Sequence, residues 1–192
     1  MELTAITPDV AGLRALSHPA RLRMLGLLRS DGPATATTLA TRLGLNTGAT
    51  SYHLRQLAQH GFVEDDPDRG NGRERWWRAA HQSTTTAPEP PDDDAARDSL
   101  DAYVQAVAVI HTEQLQQAVE ERGLLPSAWR RATTVSDWNL RLTPARARAL
   151  VDALASVIED QEEDPEDGAA VEFVVQLNAF PRPGTVSGGD DA

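Results

Sequence analysis

The sequence predicts an α+β fold: a cluster of short helices closed by a basic hairpin, then a long helix and a strand–helix–strand unit. Three observations carry this prediction. Between residues 16 and 61, three short segments repeat apolar residues at helical spacing and are separated by Gly-, Pro- and Asn-bearing turns. Residues 62–65 and 73–78 read as strands around the turn-rich tip Pro67-Asp68-Arg69-Gly70-Asn71-Gly72. Residues 95–122 then show one broad apolar helical face, and two later runs alternate apolar and polar residues.

Taken in order, residues 9–16 form a short leading helix. Ser17-His18-Pro19 supplies a polar cap and a Pro near the first helical position of the next helix. Leu22, Leu25 and Leu28, flanked by Met24 and Leu27, make its apolar stripe, and Ser30-Asp31-Gly32-Pro33 stops it. Residues 37–43 form another helix with Leu39, Ala40 and Leu43 inward and Gly44 at its end. Asn46 caps a helix over residues 47–60, followed by Gly61. Thr50, Leu54 and Leu57 share its inner face, while Gly48, Ser51, Tyr52 and Arg55 take the other positions. Residues 8–81 therefore read as one domain, 82–94 as a Thr-, Pro- and Asp-rich linker, 95–180 as a C-terminal domain and 181–192 as a disordered tail.

In the C-terminal domain, Leu100, Tyr103, Val104, Val107, Ile110 and Leu115 lie near one broad face of the long helix, which ends at Gly123. That face is wider than one domain covers, so Tyr103, Val104 and Val107 are candidates for a dimer seam. Trp138, Leu140 and Leu142 alternate as in a half-covered strand, and residues 171–180 read as a second strand. Thr143-Pro144 caps a helix running to residue 158 on Leu150, Val151, Leu154, Val157 and Ile158. A sheet covered by this helix would bury all three apolar faces.

Composition narrows the function. The 192 residues are 40% hydrophobic and 24% charged, ordinary for a soluble globular chain. No run approaches the roughly 18 apolar residues of a membrane span and no signal-like segment opens the chain, so a cytoplasmic location without membrane contact is expected. Cys is absent, which removes disulfides and thiolate metal sites. All 18 basic residues are Arg, and the net charge is −11. Residues 1–83 carry 10 Arg against 8 acids, and residues 84–192 carry 8 Arg against 21 acids. The acidic half repels nucleic acid, so any DNA contact must be oriented through the first half.

The order of pieces is what sets one helix into a DNA major groove and a hairpin onto the flanking backbone. Small polar residues at a helix start approach base edges closely, and Arg55 can reach a guanine or a phosphate. At LSHPARLRMLGLL, LATRLGLNTGATSYHLRQLAQHGFV and the Arg-rich hairpin, the chain resembles the ArsR-like winged helix-turn-helix transcriptional regulators over residues 8–81. The resemblance implies a homodimer that binds double-stranded DNA at an imperfect palindrome and usually represses transcription. It places DNA contacts on Thr47, Gly48, Ser51, Tyr52 and Arg55 of the recognition helix and on Arg69, Arg73 and Arg75 of the wing. The Cys ligands of the family's metal sensors are absent here, and no cofactor is expected.

Other readings are weaker. His53 fits a structural role beside the apolar face. His111 and Glu113 are two residues apart and do not share a helical face, so no metal site is assigned. Of Trp76 and Trp77, one is expected in the core and the other against the long helix or a partner. Trp129 and Trp138 are core candidates that would otherwise line a pocket for a small-molecule effector. No nucleophile elbow, P-loop, dinucleotide fingerprint or HExxH segment occurs, and the acidic clusters at 92–94 and 159–167 read as solubilising charge, so an enzyme is not expected. The runner-up function is a protein-interaction module on the same scaffold, its acidic second half binding a partner.

Overall fold

The structure is a computed structural model that describes residues 4–69, 74–86, 93–162, 164 and 167–186. Helix α1, Val10–Leu16, starts where the Asp9 carboxylate accepts a hydrogen bond from the Gly12 N–H at 2.7 Å. Helix α2, Pro19–Ser30, is capped by His18, with Pro19 at the position that needs no amide donor. Strand β2, Ala34–Thr35, leads directly into helix α3, Ala36–Leu43. Thr35 does double duty, pairing with Trp76 in the sheet and accepting the Thr38 N–H at its hydroxyl, 3.1 Å away. Helix α4, Thr47–Gln59, follows a turn that needs Gly44 in the left-handed region, at φ 65°.

Strand β3, Val63–Asp65, and strand β4, Trp76–Ala79, pair antiparallel with Glu64 opposite Arg78, and β2 adds on the other side of β4. The three-stranded order β2-β4-β3 behind α2–α4 is a winged helix-turn-helix. A second, two-stranded parallel pair joins β1, Ala5–Ile6, to β5, Ser83–Thr84. Residues 83–84, expected to begin a linker, are therefore ordered by the N-terminal segment. Arg29, half-buried, adds to this by donating to the His81 carbonyl and the Thr84 hydroxyl, each at 2.8 Å.

The core gathers one side chain group from each piece: Leu13 and Leu16 of α1, Met24, Leu25 and Leu28 of α2, Leu39 of α3, Leu54 and Leu57 of α4, Phe62 just before β3, and Val63 and Trp77 of the sheet. Trp77 is buried and Trp76 is half-exposed, as opposite faces of a strand require. Helix α5, Asp94–Glu121, completes this core by packing on α1 and α2. Ala96, Ser99, Tyr103 and Ala106 are buried along it, with Leu100 and Val107 partly so. Arg14 donates to Ser99 at 3.0 Å, and Arg23 holds both carboxylate oxygens of Glu113 at 2.7 Å. That last pair is half-exposed, and such surface pairs contribute about 0.2–1 kcal/mol.

The three dimer-seam candidates differ in exposure. Tyr103 lies in the core of its own chain and Val107 packs against that core, whereas Val104 is exposed. A helix stripe broad enough to include all three spans more than 100°, so its inner edge is taken by α1 and α2 and only its outer edge faces solvent.

The chain divides into two compact units, residues 1–130 and 131–192. Beyond α5, a 3-10 turn at Arg122–Leu124 and the short helix α6, Ser127–Ala132, lead into the second unit. There, helix α7, Pro144–Glu159, is capped by Thr143 as expected. The flanking strands are not formed: residues 138–142 and 171–180 carry no strand ladder among the described residues. Trp138, Leu140, Phe173 and Val175 are all exposed. Two lone strands are marginal, and alternation yields a sheet only where another layer covers its apolar side. Trp129 is half-exposed and Trp138 is 79% exposed, so neither serves as a core residue.

Candidate nucleic-acid interface

The site begins at the amino end of α4. Asn46 Oδ1 accepts the Ala49 N–H at 2.7 Å, and its carbonyl accepts both the Thr50 N–H and the Thr50 hydroxyl at 3.1 Å. These bonds fix the first turn. Asn46→Ala is expected to lower stability by about 1 kcal/mol; a urea unfolding curve checks it, and an unchanged midpoint would show that the cap is redundant.

Thr50, Leu54 and Leu57 are fully buried, which leaves the remaining faces of α4 outward. Thr47, Gly48, Tyr52 and Arg55 are exposed, and Ser51 is half-buried. The structure brings Thr47, Ser51, Arg55 and Arg75 together around an open depression of about 350 Å³, with Thr35, Thr37, Glu74 and Trp77. The floor is where α3 and α4 start beside the wing. Gly48 and Tyr52 lie on the same helix outside that depression, Tyr52 being 52% exposed. Thr35 and Thr37 were not among the sequence candidates; the signal for them was a threonine cap at residue 35, two residues before the expected helix start.

The described wing arginines each lie near a carboxylate of the protein. Arg75 precedes β4, lies 4.1 Å over the Trp77 ring and donates to Asp65 at 3.0 Å. Arg78 pairs with Glu64 at 2.8 Å, and Arg69 lies 3.6 Å from Asp66. Arg73 falls outside the described residues. Arg55 is the exception, with no hydrogen-bond or ion-pair partner among the described residues. Among the described residues the wing arginines Arg69, Arg75 and Arg78 each face a carboxylate, whereas Arg55 on α4 has none. Among the described residues no group of three metal-ligating side chains converges.

His53 sits beside this face. Its ring packs on His18 with centroids 4.5 Å apart, and Tyr52 meets it edge-on at 5.6 Å.

Residues 16–66 match the helix-turn-helix domain family. The match spans α2, β2, α3, α4 and β3; it includes Thr35, Thr37, Thr47, Ser51 and Arg55 of the depression, whereas Glu74, Arg75 and Trp77 lie beyond it. Over 57 residues the chain is 40% identical to the HTH-type transcriptional regulator YgaV of Escherichia coli (strain K12), covering 29% of this chain. The chain spans 57% of the length of that curated relative. Among solved structures, it is similar to a possible transcriptional regulator for arsenical resistance, at 25% identity and a TM-score of 0.32, covering 55% of this chain and 93% of the other. A second is the apo form of the Lactococcus lactis ZitR C30AH42A mutant, at 13% identity and a TM-score of 0.34, covering 75% and 83%. No helix among the described residues is long and apolar enough to cross a membrane.

Proposed function

We propose that the chain is a DNA-binding transcriptional regulator of the ArsR-like kind, acting in the cytoplasm as a homodimer that represses from a palindromic operator. One observation carries the reading: the helix-turn-helix domain presents the outer face of α4, with Arg55 unpaired among the described residues, beside an arginine-bearing wing. The function is binding, not catalysis. Thr47, Ser51 and Arg55 read base edges in the major groove, with Gly48 allowing close approach and Tyr52 flanking. Arg69, Arg73 and Arg75 meet phosphates. The exposed pair that holds Arg75 to Asp65 is worth about 1 kcal/mol or less, so a phosphate displaces Asp65 from it, and Arg69, 59% exposed and 3.6 Å from Asp66, is free to turn to a phosphate. Val104, exposed on α5, lies at the dimer seam.

Selection of bound duplexes by the full chain tests this. Expected is a two-fold symmetric sequence with half-sites about one helical turn apart, bound with an affinity that falls steeply with salt. Val104→Asp should yield monomers by light scattering and weaken binding to the full site. Failure to enrich any duplex sinks the reading and favours the interaction module, whose supporting observation is the exposed apolar run at Val171, Phe173 and Val175.

A further inference from the structure

We propose that His18 and His53 form a protonation-sensitive joint between α2 and α4, so that mild acid unseats the recognition helix and lowers DNA affinity. The consequence for DNA rests on the function proposed above; the joint itself does not. His18 caps α2 by accepting the Ala20 N–H at Nδ1, 3.2 Å away. A protonated imidazole carries N–H on both nitrogens and has no acceptor left, so protonation removes this cap. His53 reaches the same point from α4. Its ring lies 4.5 Å from the His18 ring, and its Nδ1 is buried without a hydrogen-bond partner among the described residues. A proton placed there has no carboxylate or carbonyl to receive it.

Arg21 adds a third positive group one turn into α2, held by the Ala15 and Arg14 carbonyls. The charged groups on the other elements against α4 are engaged elsewhere: Arg14 with Ser99, Arg42 with Asp31, Glu64 with Arg78 and Asp65 with Arg75. The groups facing the pair are therefore Arg21 and Tyr52, and neither compensates a second positive charge. His18 is exposed as a whole; partial desolvation where it meets His53, followed by the Arg21 charge, holds it below its ordinary value, and burial, then His18 and Arg21, does the same for His53.

The sign follows. The unfolded chain takes up protons at a higher pH than the folded one. Stability is full above about pH 6.5 and is lost as pH falls from there through the lower folded values. DNA binding ordinarily strengthens when imidazoles become cationic, so weakening in acid distinguishes the joint from general electrostatics.

The full chain is compared with His18→Asn, which keeps a capping acceptor that does not titrate, and with His53→Gln. Unfolding midpoints and affinity for a selected duplex are read from about pH 8 to about pH 5.5, and histidine ring titrations by NMR on the unmodified chain. Expected are two rings titrating below the ordinary value. Midpoint and affinity should fall in acid, and the fall should be smaller in either variant. Affinity should drop by up to about tenfold for each pKa unit by which the fold depresses an imidazole. The proposal is overturned if the two rings titrate at or above the ordinary value, a result that needs no variant to fold. It is equally overturned if parent and variants share one pH dependence. A chain that binds no duplex at any pH removes the DNA reading, and the unfolding data alone then decide the joint.

Discussion

Trp77→Ala is expected to destabilise the protein by about 3–5 kcal/mol, a large share of the 5–15 kcal/mol that typically separates folded from unfolded domains. Trp77 is 3% exposed, sits in the middle strand of the three-stranded sheet and packs into the core beneath α2 and α4. Removing the indole leaves a cavity where three layers meet and takes away the ring on which Arg75 lies. Trp76→Ala is the internal control, because Trp76 is half-exposed on the opposite face of the same strand. Urea unfolding of both variants decides the matter. Equal costs at the two positions would mean that the sheet is not anchored through Trp77.

Arg55→Ala should weaken binding to a selected duplex by about 1–3 kcal/mol, roughly 5- to 150-fold, and relax the preference at one base position. Arg55 stands on the exposed α4 face without a partner among the described residues, so its guanidinium has no pair to break before it meets a base edge. Arg55→Lys separates two roles. A base-reading fork is lost with Lys while the point charge is kept, so specificity should relax while the salt slope stays near that of the parent. Thermal unfolding should be unchanged in both variants, since the side chain is exposed. An Arg55→Ala chain that selects and binds the same duplex with parental affinity would remove this residue from the readout.

The ends of α4 were legible because their causes are local. Asn46 offers an acceptor three residues before the amide it caps, and Gly61 takes φ 73° just beyond the helix. The inner stripe of Thr50, Leu54 and Leu57 follows from spacing alone. What escaped is long-range. Strands β1, β2 and β5 are two residues each, too short for a periodic signal, and exist only through partners far along the chain. On α5, spacing groups Tyr103 with Val104 but does not say which edge of the stripe α1 claims. In the wing, counting arginines overstated the available charge, because the hairpin register sets Glu64 opposite Arg78 and brings Asp65 to Arg75. Alternation at residues 138–142 and 171–180 signals a face that suits a sheet, and no covering layer is supplied to it among the described residues of that unit.

The burial of Tyr103 has a thermodynamic consequence. The inward side of α5 is part of the hydrophobic core that seats α4, while Val104 and Val109 look outward from the same helix. Any association that uses the outward side only when α5 is folded is thus linked to the folding of the reading head. It raises the head's stability by RT ln(1 + [L]/Kd) without touching α4. Concentration therefore becomes a variable of the head's melting temperature: a chain that self-associates through α5 melts higher when concentrated, and a Val104→Asp chain melts at one temperature whatever its dilution.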